Sequence, residues 1–142
     1  MAGIMDLFNE SIQFQKGDVL IKEGDINRDI YALTDGVIEI SMKDGQGNYI
    51  LDEMQPPDLL GEISFLEGSP RGATAIAKTD VEVCILRYEK VKEEMQGIPA
   101  WIKLIIKSFT KRVKVCNGKI KKLEAEVDRL KSELEYATTH YR

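Results

Sequence analysis

The chain has 142 residues, of which 43% are apolar and 31% charged, enough for one domain with a real core and some length to spare. No apolar run approaches membrane-spanning length, and Met1–Phe8 lacks the basic start of a targeting signal. Two cysteines, Cys84 and Cys116, are too few for a disulfide scaffold, so a reducing cytoplasm is the expected compartment. The net charge of −4 conceals an asymmetry: residues 1–97 carry nineteen acidic against nine basic side chains, whereas residues 98–142 carry five against eleven.

Residues 1–10 are expected to form an arm or a short helix. From Ser11 to Arg87 the pattern is one of short strands separated by turn residues. Ile38, Ile40 and Met42 alternate with Glu39, Ser41 and Lys43, the period of two of a half-buried strand. Asp44–Asn48 is a hairpin turn rich in residues that tolerate positive φ, Tyr49–Met54 returns as the partner strand, and Gln55-Pro-Pro-Asp58 ends it. Ala73, Ala75 and Ala77 then alternate with Thr74, Ile76 and Lys78, and Val81–Tyr88 is a last apolar strand. Strands this short and this closely spaced predict a sandwich or jelly roll.

Tyr88–Gln96 has helical composition and meets Gly97, a helix stop, with Pro99 opening the next helix. In that helix Ile102, Ile106, Phe109, Val113, Cys116, Ile120, Leu123, Val127, Leu130, Leu134, Ala137 and Tyr141 recur at alternating steps of four and three. This is a heptad seam with a positions at Ile106, Val113, Ile120, Val127, Leu134 and Tyr141 and d positions that include Leu123 and Leu130. β-Branched residues at a with leucine at d favour a parallel dimer, and Lys119 then meets Glu124, and Glu126 meets Lys131, across the two chains. A continuous helix from Ala100 to Arg142 would be about 64 Å long. The expected interface comprises Ile106, Phe109, Val113, Cys116, Ile120, Leu123, Val127, Leu130 and Leu134. Between Lys103 and Lys122 stand eight basic residues and no acid; they are read as a basic helix lying beside its own acidic barrel, since no aromatics interleave them for nucleic acid.

The stretch Gly61-Glu-Ile-Ser-Phe-Leu-Glu-Gly-Ser-Pro-Arg-Gly-Ala-Thr74 carries the chemistry. Arg71 offers a planar fork to two phosphate oxygens, and an ionised Glu62 accepts from a ribose hydroxyl. The backbone N–H groups opening the turn Glu62–Leu66 lack intrahelical partners and suit the same phosphate, while Gly61 allows close backbone approach. The stretch resembles the phosphate-binding cassette of the cyclic nucleotide-binding domain family, which includes kinase regulatory subunits, gated channels and the bacterial catabolite activator protein. Its Gly61-to-Arg71 spacing is similar to the kinase and channel version. Upstream, Phe14-x-x-Gly17-Asp18, Glu23-Gly24-Asp25, Ile30-Tyr31-Ala32-Leu33 and Gly36 extend the resemblance over roughly residues 11 to 122.

The resemblance implies an eight-stranded, mainly β jelly-roll barrel with flanking helices and a long C-terminal coiled-coil helix, divided as 1–10, 11–97 and 98–142. It implies a ligand site at Gly61, Glu62, Ile63, Ser64, Pro70, Arg71, Gly72 and Ala73. In the activator branch a Thr-Ser pair on the long helix contacts the base; that pair falls on Cys116-Asn117 here, so Asn117 is the candidate base contact and Cys116 a seam residue. Gly118, costly in a helix interior, suggests a close approach or a hinge. Members selective for cyclic GMP place threonine after the arginine; Gly72 stands there, which leaves cyclic AMP as the expected ligand over cyclic GMP. No enzyme is expected, because the only histidine, His140, stands apart from any carboxylate cluster and no metal-ligand, nucleophile–base or nucleotide-loop spacing occurs. No cofactor, DNA or membrane partner is expected, and the downstream protein is unspecified. The competing expectation is a coiled-coil scaffold whose barrel binds no nucleotide; a barrel tuned to another anion is a third.

Overall fold

The computed structural model describes residues 4–44 and 47–141. A short helix α1 (Ile4–Leu7) precedes eight strands: β1 (Glu10–Phe14), β2 (Val19–Ile21), β3 (Ile30–Asp35), β4 (Ile38–Asp44), β5 (Gly47–Met54), β6 (Leu59–Leu60), β7 (Thr74–Ala77) and β8 (Val81–Leu86). Helix α2 (Glu62–Glu67) interrupts them, and α3 (Tyr88–Gln96) and α4 (Ala100–His140) follow. The strands form two four-stranded sheets, ordered β1-β8-β3-β6 and β2-β7-β4-β5, with every pairing antiparallel. This is the jelly-roll architecture expected from the strand spacing.

The inner faces of the two sheets meet over Leu20, Ile21, Leu33, Ile38, Ala75, Ala77, Val81, Val83 and Ile85. β8 shows why: Val81, Val83 and Ile85 are buried at a period of two, so one whole strand face lies in the core. A second cluster, Ile30, Phe65, Leu86 and Val91, seats α2 and α3 against the end of the barrel, with Phe65 and Tyr88 edge to face at 5.6 Å between centroids.

Strand β4 departs from the expected alternation. Ser41, expected on the solvent face, is buried, and the pairing of β4 with β5 slips register between Ile40 and Ser41, the kind of irregularity that locally increases strand twist. The hairpin turn expected at 44–48 falls partly on residues 45 and 46, and the final seam position's neighbour Arg142 ends the chain; all three lie outside the described residues.

α3 ends at Gln96 as expected, but Gly97 has φ −77, so the stop does not use the left-handed conformation; its N–H instead closes on the Glu93 and Glu94 carbonyls. α4 is a single helix of 41 residues, about 62 Å long. Thr110 is its one buried residue, and Phe109, Leu123, Val127, Leu130 and Leu134 are all exposed along it. Among the described residues no helix is long and apolar enough to cross a membrane.

Candidate functional site

Arg71 lies just past α2 and is only 4% exposed, yet no carboxylate ion-pairs with it among the described residues. Its guanidinium is held by neutral oxygens. Nη1 donates to the Gly61 carbonyl at 3.0 Å, and Nη2 donates to the Asp29 carbonyl at 2.6 Å and to Asn27 Oδ1 at 3.1 Å. The backbone is pinned as well: Arg71 N–H donates to Asp25 O at 2.7 Å, and Gly24 N–H donates to Arg71 O at 2.8 Å. Burial pushes the guanidinium below its ordinary pKa, opposed by Tyr31 once that phenol ionises and by the carboxylates of Asp29, Asp25 and Glu62. Three contacts leave two of the five guanidinium N–H donors for something else. Glu62 is exposed and makes no ion pair with Arg71, so the two residues do not simply satisfy each other across the turn.

Gly61 is required by this packing. It has φ +95, and a Cβ there would stand 2.4 Å from Arg71 Nη1 and 3.0 Å from the Asp29 carbonyl. Glycine therefore lets its own carbonyl and the guanidinium share one small space.

Gly61, Glu62, Ile63, Ser64, Arg71, Gly72 and Ala73 line one cavity of about 340 Å³, within the size range of small-molecule sites. Pro70 is exposed and does not line it. Asn117 enters the same cavity from α4, which joins the two regions singled out in the sequence. Two seam residues, Val113 and Ile120, line it too, so part of the expected dimer interface also faces the barrel of its own chain. Gly118 serves no close approach among the described residues: a Cβ there would meet nothing within 4 Å.

Several further residues belong to this region, though their pattern in the sequence marks them only as strand or loop. Asp52 and Met54 on β5 and Ile40 and Met42 on β4 line the cavity wall, each pair at the strand period of two. Asn27 and Asp29 position Arg71. Asn27 Oδ1 accepts from Asp29 N–H at 2.8 Å in a local turn, whose signal in sequence is the Asn-x-Asp spacing. The buried Asp29 carboxylate accepts from Tyr88 N–H at 2.9 Å and from Arg87 at 3.0 Å, tying this loop to α3. Burial alone would raise the Asp29 pKa, but hydrogen bonds from Tyr88 N–H, Arg87 and Asn27 more than offset it and hold the carboxyl below its ordinary value.

The cassette is also tied to α4. Glu67, at the end of α2, accepts from Thr110 Oγ1 and from Lys114 Nζ, and these hydrogen bonds hold its carboxyl below the ordinary range. Among the described residues Lys114 is the single lysine of the Lys103–Lys122 run to pair with an acid; Lys121 donates to the Lys43 carbonyl at 2.8 Å and Lys103 to the Gln96 carbonyl at 3.2 Å. The basic helix thus contacts its own barrel, but with few of its charges.

Residues 11–97 match the cyclic nucleotide-binding domain family. The chain belongs to that family. Among relatives of the chain, the cAMP-dependent protein kinase regulatory subunit of Dictyostelium discoideum is 33% identical over 76 residues, 53% of this chain and 23% of that protein. The cAMP-activated global transcriptional regulator CRP of Salmonella typhimurium is 27% identical over 110 residues, 76% of this chain and 52% of that protein. The chain therefore spans about half of one relative and about a quarter of the other. An EAL enzyme solved in its cAMP-bound form superposes with a TM-score of 0.70 over 91% of this chain and 33% of that chain; at 20% identity, that likeness is one of fold.

Proposed function

We propose that the chain is a non-enzymatic cyclic nucleotide sensor that binds cyclic AMP and signals through a parallel homodimer of α4, with residues 11–97 as the sensor and 98–142 as the dimerisation unit. The observation that carries this reading is Arg71: a buried cation with no carboxylate partner among the described residues, lining a cavity with donors to spare. A buried charge is stable only when compensated, and a cyclic phosphodiester supplies the missing anion. The rest of the first section's charge repels phosphate, so the attraction must be local.

In this assignment the free Arg71 donors and the N–H groups opening α2 hold the phosphate. Glu62 accepts from the ribose hydroxyl, and the apolar wall of Ile40, Met42 and Met54 covers the sugar and base. Asn117 offers both donor and acceptor to the base edge. Gly72 after the arginine favours cyclic AMP over cyclic GMP, and the relatives named for cAMP support the same choice. The exposed row from Phe109 to Leu134 supports the homodimer, since apolar side chains at heptad spacing are otherwise left in water.

Calorimetric titration of the full chain with cyclic AMP and then cyclic GMP, with mass from light scattering, tests both halves. Tight binding of cyclic AMP by a dimer is expected. No heat from a folded dimer free of carried-over nucleotide would favour the coiled-coil scaffold, and a monomer's mass would remove the homodimer.

A further inference from the structure

A larger cavity than the Arg71 site, about 810 Å³, opens between α3, the end of α2 and the first turns of α4. Its apolar surface comes from Leu66, Tyr88, Met95, Ile98, Ile106 and Val115. Its rim is basic: Lys103, Lys107, Lys111 and Lys114 line it from α4, and Arg28 from the opposite side. The single acid lining it is Glu67, already engaged by Thr110 and Lys114. The side chains of Lys107 and Lys111 make no hydrogen bond or ion pair among the described residues. Two polar atoms at the groove, Arg28 Nε and Ser69 Oγ, are buried without a hydrogen-bond partner among the described residues. Arg28 is fixed in place by its stacking 3.9 Å over the Tyr88 ring and by Nη2 donating to Phe65 O at 2.7 Å.

The lysines follow one another at steps of four, four and three, a row about 16 Å long on one side of α4. Converging charges would suit a compact anion; a row beside an apolar trough suits a rod with a matching row. The rod that fits is an amphipathic helix with acids along one edge of its apolar face. A second copy of this chain is a poor occupant. Of the expected seam residues Ile106 alone lines the groove, and Lys107 and Lys111 lie about 160° around α4 from Phe109, so a dimer formed on the seam would meet the groove only at that edge and leave the lysine row uncovered.

We propose that this groove docks an acidic amphipathic helix of a partner protein. The assignment is independent of nucleotide binding and uses the lysines that the barrel leaves unpaired.

The test uses the full chain and a fluorescent peptide of about 18 residues, long enough to form helix on a surface, with leucines at helical spacing and glutamates flanking them. Anisotropy at low salt should show the peptide binding about tenfold or more tighter than a scrambled peptide of the same composition. Lys107→Glu with Lys111→Glu should weaken it about tenfold, because each exposed attraction becomes a repulsion of like size, and salt should weaken it in wild type. Both lysines are exposed and unbonded, so the double variant should keep wild-type melting and cyclic AMP affinity. Equal binding of the scrambled peptide, or unchanged binding by the double variant, overturns the proposal. So does lysine-dependent binding to phosphatidylserine vesicles without peptide binding, which assigns the groove to a membrane surface. A drop in mass of the double variant by sedimentation would assign it to self-association and equally overturn it.

Discussion

Replacing Arg71 by alanine separates what the arginine does for the fold from what it does for a ligand. In the ligand-free protein the substitution removes a buried cation, which is favourable, and strands the Asp29 carbonyl, which is not; the Gly61 carbonyl and Asn27 Oδ1 keep the Phe65 and Asp29 N–H donors. A buried acceptor left unsatisfied costs about 1–3 kcal/mol, offset in part by relief of the desolvated charge, so a modest net loss of stability is expected. The ligand effect is larger. A phosphate entering the cavity without its countercharge loses about 2–5 kcal/mol, roughly 30- to several-thousand-fold in affinity. Arg71→Lys restores the charge but not the fork, and should recover only part of the loss. Calorimetry gives the affinities, and melting with and without cyclic AMP gives the stabilities on the same samples. Wild-type affinity in folded Arg71→Ala protein would refute the argument, because it would mean that no anion depends on this guanidinium.

Gly61→Ala should cost about 1–2 kcal/mol of stability from the positive φ alone, and should weaken cyclic AMP binding because the new Cβ displaces Arg71 Nη1; chemical denaturation and calorimetry measure the two effects. Asp29 has a folded pKa below its ordinary 3.8, so its contribution to stability is complete at neutral pH and is lost as pH falls through the folded value. Urea midpoints should therefore show the advantage of wild type over Asp29→Asn at pH 7 shrinking below about pH 4; an advantage that grew on acidification would contradict the assigned hydrogen bonds. Gly118→Ala should stabilise α4 by about 1 kcal/mol in thermal melts, since its Cβ meets nothing within 4 Å and glycine is the poorer helix former; a loss would reveal a close approach made only by a second copy.

The regions whose information lies in side-chain pattern were legible in the sequence. The apolar run that becomes β8 (read through Tyr88, ending at Leu86 because Tyr88 opens α3), the end of α3 at Gln96 and the unbroken α4 each follow from pattern that elementary geometry converts into structure. The cassette was legible because Gly61 and Arg71 are chemically distinctive. The support of Arg71 was not. Two of its three acceptors are backbone carbonyls, which every residue possesses, and the third belongs to Asn27, 44 positions away in the chain. Asp52 and Met54 were hidden for a related reason: strand period tells which residues share a face, but not which face meets a cavity. The heptad reading placed Val113 and Ile120 in a seam without registering that the same side chains meet the barrel. Periodicity marks a stripe as apolar and is silent on how many neighbours divide it.

That division bears on how the proposed sensor would work. Val113 and Ile120 stand at the cavity, whereas Phe109, Cys116 and Leu123 sit on the adjoining side of the same turns, Cys116 about 60° around the helix from Val113. No relay of intermediate residues is then needed between ligand and partner, because one rigid helix carries both contacts. The Glu67 hydrogen bonds to Thr110 and Lys114 add a second tie, so a shift of the cassette is resisted by, or transmitted to, the same segment. A ligand moves such an equilibrium only by binding its two states unequally. The coupling must also be reciprocal: if cyclic AMP tightens the dimer about tenfold, dimerisation must tighten cyclic AMP by the same factor, about 1.4 kcal/mol each way. Measuring affinity for cyclic AMP as a function of protein concentration therefore probes the seam and the pocket together. A binding constant independent of dilution through the dimer's dissociation range would show that α4 holds the two contacts side by side without linking them.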